Sequence, residues 1–368
     1  SDATAWASPA ALRTFMKSLR NPELGIKLRL LPDLRYAAWI MRFLSQCSQA
    51  RANANTDIKL RLAHYSLRCI NELADETGID YDQRTRGLLY LFRNQADLDA
   101  GAAHFRYLAD RGVPVEVASR DRVVEIEPAL AAAKGRLAGA IYSPIDQTGD
   151  SRLFAQRLAQ YATGQFGTKF RFDANVTGLE FSGDRVQSVT TSAGSEPCDA
   201  VVLSMGPESG LFARRYGITL PIYPVKGYTA TIPLDDPSRA PTTGGVDEGR
   251  YVTYARMGDR LRLSSSAEFA GFDRSHRPKN FARMFRTAHD LFPGLIDERK
   301  ADLRACLRPM MPNSVPAIGR TRFANFYLDT GHGHLGWTLA CGSGKFLADI
   351  IANRRPEIDP SGLLYRGR

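Results

Sequence analysis

A glycine-rich loop near the carboxyl end constrains the fold of this chain more than any other segment. The loop, Gly331 to Thr338 (GHGHLGWT), follows an apolar, strand-like run at Asn325–Thr330 and precedes an apolar helical run at about 346–352. Closely spaced glycines let the backbone approach a flat or anionic ligand, and a helix beginning there offers free N–H groups. The pattern predicts a cofactor loop at the end of a strand, although such a loop taken alone is more often a tight turn.

A flavin would suit this loop for an electrostatic reason. Reduction places negative charge near N1 and C2=O of the isoalloxazine ring, and the positive end of a helix pointed there would stabilise that charge.

Length and composition predict a two-domain globular protein. The chain has 368 residues, which is long for a single core, with 43% hydrophobic and 24% charged residues. No apolar run is long enough to cross a bilayer, and the amino terminus lacks a signal-peptide layout.

The charge and the cysteines exclude some classes of protein. The net charge is +10, but the arginines are spread along the chain and no RNA-binding motif is present, so nucleic acid is not an expected partner. Five cysteines lie far apart, with no C-x-x-C pair and no histidine cluster that would predict a metal site. This usage favours a reducing, cytoplasmic location.

Apolar spacing and breaking residues predict alternating helices and strands. Residues 1 to about 80 are predicted to be mainly helical, ending at Gly78. Further helices are predicted at Gln95–Arg111, from Asp150 or Ser151 onward, and at Asn280–Phe292. Short strands are predicted at Gly87–Phe92, Lys169–Phe172, Asn175–Phe181, Arg185–Val189, Asp199–Gly206, Tyr251–Ala255 and Arg260–Leu263.

The segment Leu28 to Cys47 allows two interpretations. It mixes apolar residues, including Trp39, with arginines at roughly helical spacing, which is typical of a helix lying in a membrane interface. The alternative is a helix buried on one face against its own domain, which the sequence favours.

Several motifs occur in an order that resembles one known family. LRPMMP begins at Leu307 and is followed by P-A-I-G and the glycine loop; upstream lie RTRGLLYLFR from Arg84, DQTGD from Asp146, VVLSMGPES from Val201, YPVKGY from Tyr223 and AEFAGFD from Ala267. Over nearly the whole chain this resembles the FAD-dependent D-amino acid oxidase superfamily, and most of all its bacterial dehydrogenases. The family's amino-terminal strand and G-x-G-x-x-G turn, which bind the FAD pyrophosphate, are missing from the sequence given, which is expected to be a fragment or an ordered remnant.

The resemblance implies an α/β fold in which a Rossmann-like FAD-binding domain is interleaved with an antiparallel-sheet (α+β) substrate domain. The expected segments are residues 1–80 (helical, FAD domain), 81–142 (substrate domain), 143–210 (FAD domain), 211–318 (substrate domain) and 319–368 (FAD domain).

The resemblance also implies site residues. Arg308 is expected to hold the substrate carboxylate through its guanidinium fork, with a structural salt bridge as the alternative. Tyr251 and Tyr254 could reach the carboxylate or cover the ligand, and core packing is equally compatible with each. The expected FAD contacts are Val176, Ser204, Gly206, Gly331, His332, Gly333, His334, Leu335, Gly336, Trp337 and Thr338.

The implied reaction is hydride transfer from the α-carbon of a D-amino acid to FAD, giving a 2-oxo acid and ammonia. A quinone or another electron acceptor would reoxidise the flavin, in the cytoplasm or on the inner face of the bacterial plasma membrane. A glycine, sarcosine or proline-type amine oxidase is one alternative, and a basic binding protein without catalysis is the other.

Overall fold

A 29-residue helix forms the longest element of the computed structural model, which describes residues 2–12, 26–28 and 33–367. It begins after Ser48, whose hydroxyl accepts from the Arg51 N–H, and ends at Gly78 in the left-handed conformation, as the sequence predicted. The helices are α1 Leu34–Gln46, α2 Gln49–Thr77, α3 Gln95–Ala109, α4 Arg120–Ile126, α5 Ser151–Phe166, α6 Ser209–Arg214, α7 Ala282–Leu291 and α8 Gly336–Ile351.

The strands form three sheets. They are β1 Ile26–Leu28, β2 Leu88–Phe92, β3 Glu116–Ser119, β4 Gly139–Ser143, β5 Val176–Ser182, β6 Arg185–Thr191, β7 Gly194–Pro197, β8 Val201–Leu203, β9 Tyr223–Pro233, β10 Gly244–Asp247, β11 Val252–Met257, β12 Arg260–Phe269, β13 Asp302–Met310, β14 Ala317–Arg320 and β15 Phe326–Thr330. The largest sheet has the order β13-β9-β12-β11-β10-β2-β4-β3, with β1 parallel to β12. The other two are β14-β15-β8, in which β8 and β15 are parallel, and the antiparallel meander β5-β6-β7.

Two faces of the large sheet have different roles. One face packs on α7 through a core that includes Tyr228, Leu263, Phe281 and Leu291. The other face, near the ends of β9 and β13, packs on α1 through Trp39 and its neighbours. Trp39 also donates from Nε1 to the carbonyl of Met310 at 2.9 Å, so α1 is held at the end of β13.

Several local predictions were wrong or incomplete. Lys169–Phe172 forms no strand; Phe172 is largely exposed, and Asp173 turns into the left-handed region at φ 58°. The buried strand β4, which pairs with β2 and β3, was not predicted. Residues 1–80 were expected to be mainly helical, but Ile26–Leu28 is a strand. Residues 29–32, which belong to the segment Leu28 to Cys47, lie outside the described part of the chain.

The last helix begins at Gly336, ten residues before the predicted start. Its glycines have low helix propensity, but tertiary packing compensates for this. A Cβ on Gly342 would lie 2.8 Å from Cα of Ser66 on α2, and the Gly342 N–H donates to Oγ of Ser66 at 3.1 Å. The two helices therefore approach with their backbones in near contact, which only a glycine allows at this point.

Residues 2–7 lie against α2 and bury a lysine. Ala3, Ala5 and Ala7 are buried, and Nζ of Lys59, itself 1% exposed, donates to the carbonyl of Thr4 at 2.7 Å. Burial lowers the pKa of Lys59 to about 8, and the charge of Asp2 only partly opposes this effect.

Replacing Gly342 with alanine should loosen the contact between α2 and α8. We expect G342A to lower the free energy of unfolding by about 1–3 kcal/mol, because the added methyl group overpacks the interface. G344A is the matched control, since no atom lies within 4 Å of its Cβ position. Urea denaturation of both variants measures the difference; equal stabilities would contradict the packing.

The Lys59 ammonium should make stability depend on pH. Its pKa is about 8 in the folded protein and 10.5 ordinarily, so between these values the unfolded chain binds the extra proton and stability rises with pH. We expect the gain in unfolding free energy from pH 7.5 to 9.5 to be smaller in K59M than in wild type. K169M, at an exposed position, should keep the wild-type gain. An equal gain in K59M and wild type would contradict this assignment.

Candidate functional site

Two loops meet at the carboxyl edge of the parallel pair β8 and β15. Oγ1 of Thr330, the last residue of β15, lies 3.3 Å from the carbonyl of Gly206 and 2.9 Å from Oγ of Ser209, both in the segment after β8. Ser204 is exposed at the same edge. The carboxyl ends of parallel strands are where open α/β sheets bind nucleotide ligands. The structure therefore brings Ser204 and Gly206 together with the glycine loop.

The glycine loop requires its glycines. Gly331 and Gly333 have φ of 80° and 64°, in the left-handed region that other residues rarely adopt. A Cβ on Gly331 would lie 2.8 Å from Cγ of Met311, and one on Gly333 would lie 2.9 Å from Sδ of Met310. His332 also forms a β-bridge with Met310. The loop is thus pressed against the end of β13, two residues from Arg308.

The amino-terminal end of α8 borders a cavity. No side chain caps this helix end, and Trp337 and Thr338 of its first turn line the cavity together with α2 and residues 145–148. Within the described residues, Nε2 of His64 and Oγ1 of Thr148 line the cavity as buried atoms without a hydrogen-bond partner. Uncapped backbone N–H groups and orphaned polar atoms fit a polar, partly anionic ring system such as a flavin.

Three predicted cofactor contacts have side chains that also contact protein. Nε2 of His332 lies 3.0 Å from Oγ of Ser343 and 3.2 Å from Asp329, so this side chain anchors the loop to α8. Leu335 is buried in the core. Trp337 packs edge-on against Tyr81 and Phe154, with ring centroids 5.8 and 5.3 Å away. Trp337 also lines the cavity, so FAD contacts of these three residues stay predictions. Val176 is exposed at the start of the meander sheet, and its predicted FAD contact likewise stays a prediction.

His334 faces the site. Its side chain reaches solvent at one side and is surrounded by protein at the other. Desolvation by this protein, together with the positive charges of Lys59 and Arg308, lowers the pKa of His334 to about 3. The imidazole is therefore neutral at physiological pH. A neutral ring offers one donor and one acceptor, which suits hydrogen bonding better than acid catalysis.

Arg308 carries a charge that the chain does not balance. Its guanidinium is half-buried, donates from Nη1 to the carbonyl of Ser266 at 2.6 Å, and has no carboxylate within 4 Å in the described part of the chain. Burial lowers its pKa below the ordinary value, but a guanidinium stays protonated. Since a buried charge without a partner is costly, this position favours binding of an anion.

The two candidate tyrosines have different positions. Tyr254 is buried, with its ring edge-on to Phe292 at 5.0 Å. Strand pairing places Tyr254 on the same face of the sheet as Ala230, whereas Arg308 pairs with Val225, five residues away along β9 and thus on the opposite face. The expectation of a site role for Tyr254 is therefore corrected: the residue belongs to the core.

Tyr251 remains a candidate. It is 39% exposed, with φ of 52°, in the turn before β11. Its carbonyl accepts from Oγ of Ser265, the residue before Ser266, whose own carbonyl binds Arg308. The structure thus brings Tyr251 next to the pair Ser265 and Ser266, the second of which contacts Arg308.

Besides His64 and Thr148 in the cavity, sequence reasoning missed three residues around Arg308 and His334. Gly227 and Ser266 contact Arg308, and Lys59 contributes charge beside His334. Gly227 lies in the YPVKGY motif, which could have drawn attention to it. A serine inside a strand and a lysine inside a helix carry no comparable signal.

Comparison with known proteins identifies the family of this chain. A family model described as FAD dependent oxidoreductase matches residues 5–350. "D-amino acid dehydrogenase 2" of Mesorhizobium japonicum is 62% identical over 366 residues, covering 100% of this chain and 88% of the relative. "D-amino acid dehydrogenase" of Chromohalobacter salexigens is 41% identical over 358 residues, covering 97% and 85%.

Solved structures share the fold. Glycine oxidase from Geobacillus kaustophilus has a TM-score of 0.73 at 24% identity, covering 83% of this chain and 82% of its own. L-proline dehydrogenase from P. horikoshii has a TM-score of 0.70 at 18% identity, covering 80% and 79%. The fold class expected from the sequence is thus confirmed. The chain belongs to the family of FAD-dependent oxidoreductases, and FAD is its cofactor.

Proposed function

We propose that this protein oxidatively deaminates D-amino acids to 2-oxo acids and ammonia. The observation that carries the proposal is the unbalanced charge of Arg308 beside the glycine loop. An α-amino acid supplies the missing carboxylate, and its α-carbon then lies next to the carboxylate that the guanidinium holds.

The chain's own residues act by positioning the substrate. Arg308 binds the carboxylate, and exposed Tyr251 covers the ligand from the turn before β11. Neutral His334, in the glycine loop, is available for a hydrogen bond to the ligand. Bound FAD would supply the hydride acceptor for the α-carbon of the neutral amine. Holding the two reactants in one orientation supplies most of the rate acceleration. The released imino acid hydrolyses in water.

In this proposal, backbone atoms of the chain make most of the contacts with FAD. The glycine loop, the start of α8, and Ser204 and Gly206 at the edge of β8 are the proposed FAD contacts. The orphaned atoms of His64 and Thr148 add side-chain partners that the sequence did not suggest. Residues 1–80, 143–210 and 319–368 form the proposed FAD domain, and residues 81–142 and 211–318 the proposed substrate domain.

The preference for D-amino acids rests on the relatives. The 62% and 41% identical proteins are both named D-amino acid dehydrogenase. The structural neighbours named glycine oxidase and L-proline dehydrogenase are below 25% identity and share the fold alone. Anaerobic absorbance spectra separate the substrate classes. D-amino acids should bleach the flavin, and faster bleaching by sarcosine or L-amino acids would overturn the proposal.

Removing the Arg308 guanidinium should lower activity without loss of bound FAD. We expect R308A to lose about 2–5 kcal/mol of transition-state stabilisation in kcat/KM while it keeps its flavin. R304A is the matched control, because Arg304 is exposed on the same strand and pairs with Asp302. Near-normal kcat/KM in R308A would remove Arg308 from the site.

We propose further that the electron acceptor is a membrane quinone and that α1 touches the membrane. Leu34, Met41 and Leu44 are 88%, 66% and 48% exposed and form one stripe of α1, opposite to buried Trp39 and Phe43. Within the described residues, no helix has the length and apolar character needed to span a bilayer. An exposed apolar stripe on an otherwise docked helix supports shallow insertion instead.

The exposed stripe gives a direct membrane test. We expect wild type to float with anionic phosphatidylglycerol liposomes and a variant with L34S, M41S and L44S to remain unbound, because the apolar contact is lost. V117S, which changes an exposed residue on β3, is the control and should float like wild type. Unchanged flotation of the triple variant would refute the assignment.

A further inference from the structure

Arg308 lies across strand β9 at Gly227, where only a glycine leaves it room. A Cβ on Gly227 would lie 2.4 Å from Nη2 and 2.5 Å from Cζ of Arg308. The φ of Gly227 is outside the left-handed region, so the backbone itself would accept another residue. The absence of a side chain at this position therefore provides space for the guanidinium.

A bulge in the neighbouring strand contacts the other side of the guanidinium. The pairing of β12 with β9 shifts between Ser265 and Glu268, and Ser266 inside this bulge has φ of 72°. Its carbonyl accepts from Nη1 of Arg308 at 2.6 Å. The left-handed residue thus provides a backbone acceptor for Arg308.

Buried polar groups hold the bulge in place. Nη2 of Arg283, on α7, lies 2.7 and 2.8 Å from Oγ of Ser265 and Ser266. On the β9 side, the Tyr228 hydroxyl donates to Glu268, the last residue of the shift.

Lys226 is the centre of this buried group. Its side chain is 0% exposed, and it alternates with Gly227 along β9, so it lies on the opposite face of the sheet from Arg308. Nζ lies 3.8 Å from Oε1 of Glu268 and donates to Asp273 and to the carbonyl of Ser275, both at 3.0 Å. A buried ammonium is costly unless paired, so these bonds tie the segment after β12 to β9.

We infer that Gly227 and Ser266 form a seat for the Arg308 guanidinium, and that Lys226 is a positioning residue that holds this seat through Glu268. The inference rests on the proposed function, because the seated guanidinium is what receives the substrate carboxylate. With Nη1 bound to Ser266 and Nη2 lying over Gly227, the fork has one orientation in which to meet both carboxylate oxygens.

Substituting Gly227 tests the seat without straining the backbone. We expect G227A to displace the guanidinium and to lower kcat/KM for D-alanine by up to about 100-fold, mainly through KM. D-lactate has the carboxylate but no amine, and its Kd, read from the absorbance of the bound flavin, should rise in parallel. G164A, an exposed helical position with nothing within 4 Å of its Cβ, should behave like wild type.

The positioning role of Lys226 is tested with K226M, which should raise the same KM and Kd while kcat falls less. Unchanged KM and Kd in K226M would remove Lys226 from this role; if K226M does not fold, K226R, which keeps a cation near Glu268, is measured in its place. A uniform loss of kcat with unchanged D-lactate Kd in G227A would overturn the seat. Failure of wild type itself to oxidise any D-amino acid would overturn the proposed function instead.

Discussion

The site depends on one unbalanced charge, the guanidinium of Arg308. A charge taken from water is stabilised only by a partner, and in the described residues this one has a single backbone carbonyl and no carboxylate. The chain therefore leaves part of the stabilisation to the ligand. In the proposed function an amino acid carboxylate supplies this stabilisation, so that binding and orientation become the same event.

The surroundings of Arg308 keep this charge at the correct place. The glycine loop is pressed against the end of β13, so the strand that carries Arg308 and the loop proposed to approach the cofactor share one contact at Met310. His334 remains neutral there because burial and two nearby cations disfavour its protonated form. Arg308 and Lys59 thus place two positive charges beside a neutral imidazole, and the carboxylate of the proposed substrate is complementary to this charge.

Helix α1 links the site to the exterior of the molecule. Trp39 donates to the carbonyl of Met310, while the opposite side of the same helix exposes Leu34 and Met41. A surface able to enter a lipid interface is therefore one helix away from the strand that carries Arg308. The proposed membrane contact would therefore lie on the same helix that Trp39 anchors to the end of β13.

The sequence by itself determined the local elements and the composition of the site. Gly78 ends α2, Asp150 caps α5, and the glycine loop follows a strand, because caps and left-handed turns depend on single residue types. Arg308 could be chosen because the LRPMMP motif that contains it resembles a motif of the family.

Only the tertiary structure decided which side chains share a face and which loops meet. Tyr254 and Tyr251 are equivalent in the sequence, yet strand register buries one in the core and places the other at the bulge. The seat of Arg308 joins Gly227 to Ser266 through the pairing of β9 with β12 and β13, which no local pattern encodes. Sheet register depends on long-range pairing, whereas caps and turns depend on neighbours in the chain.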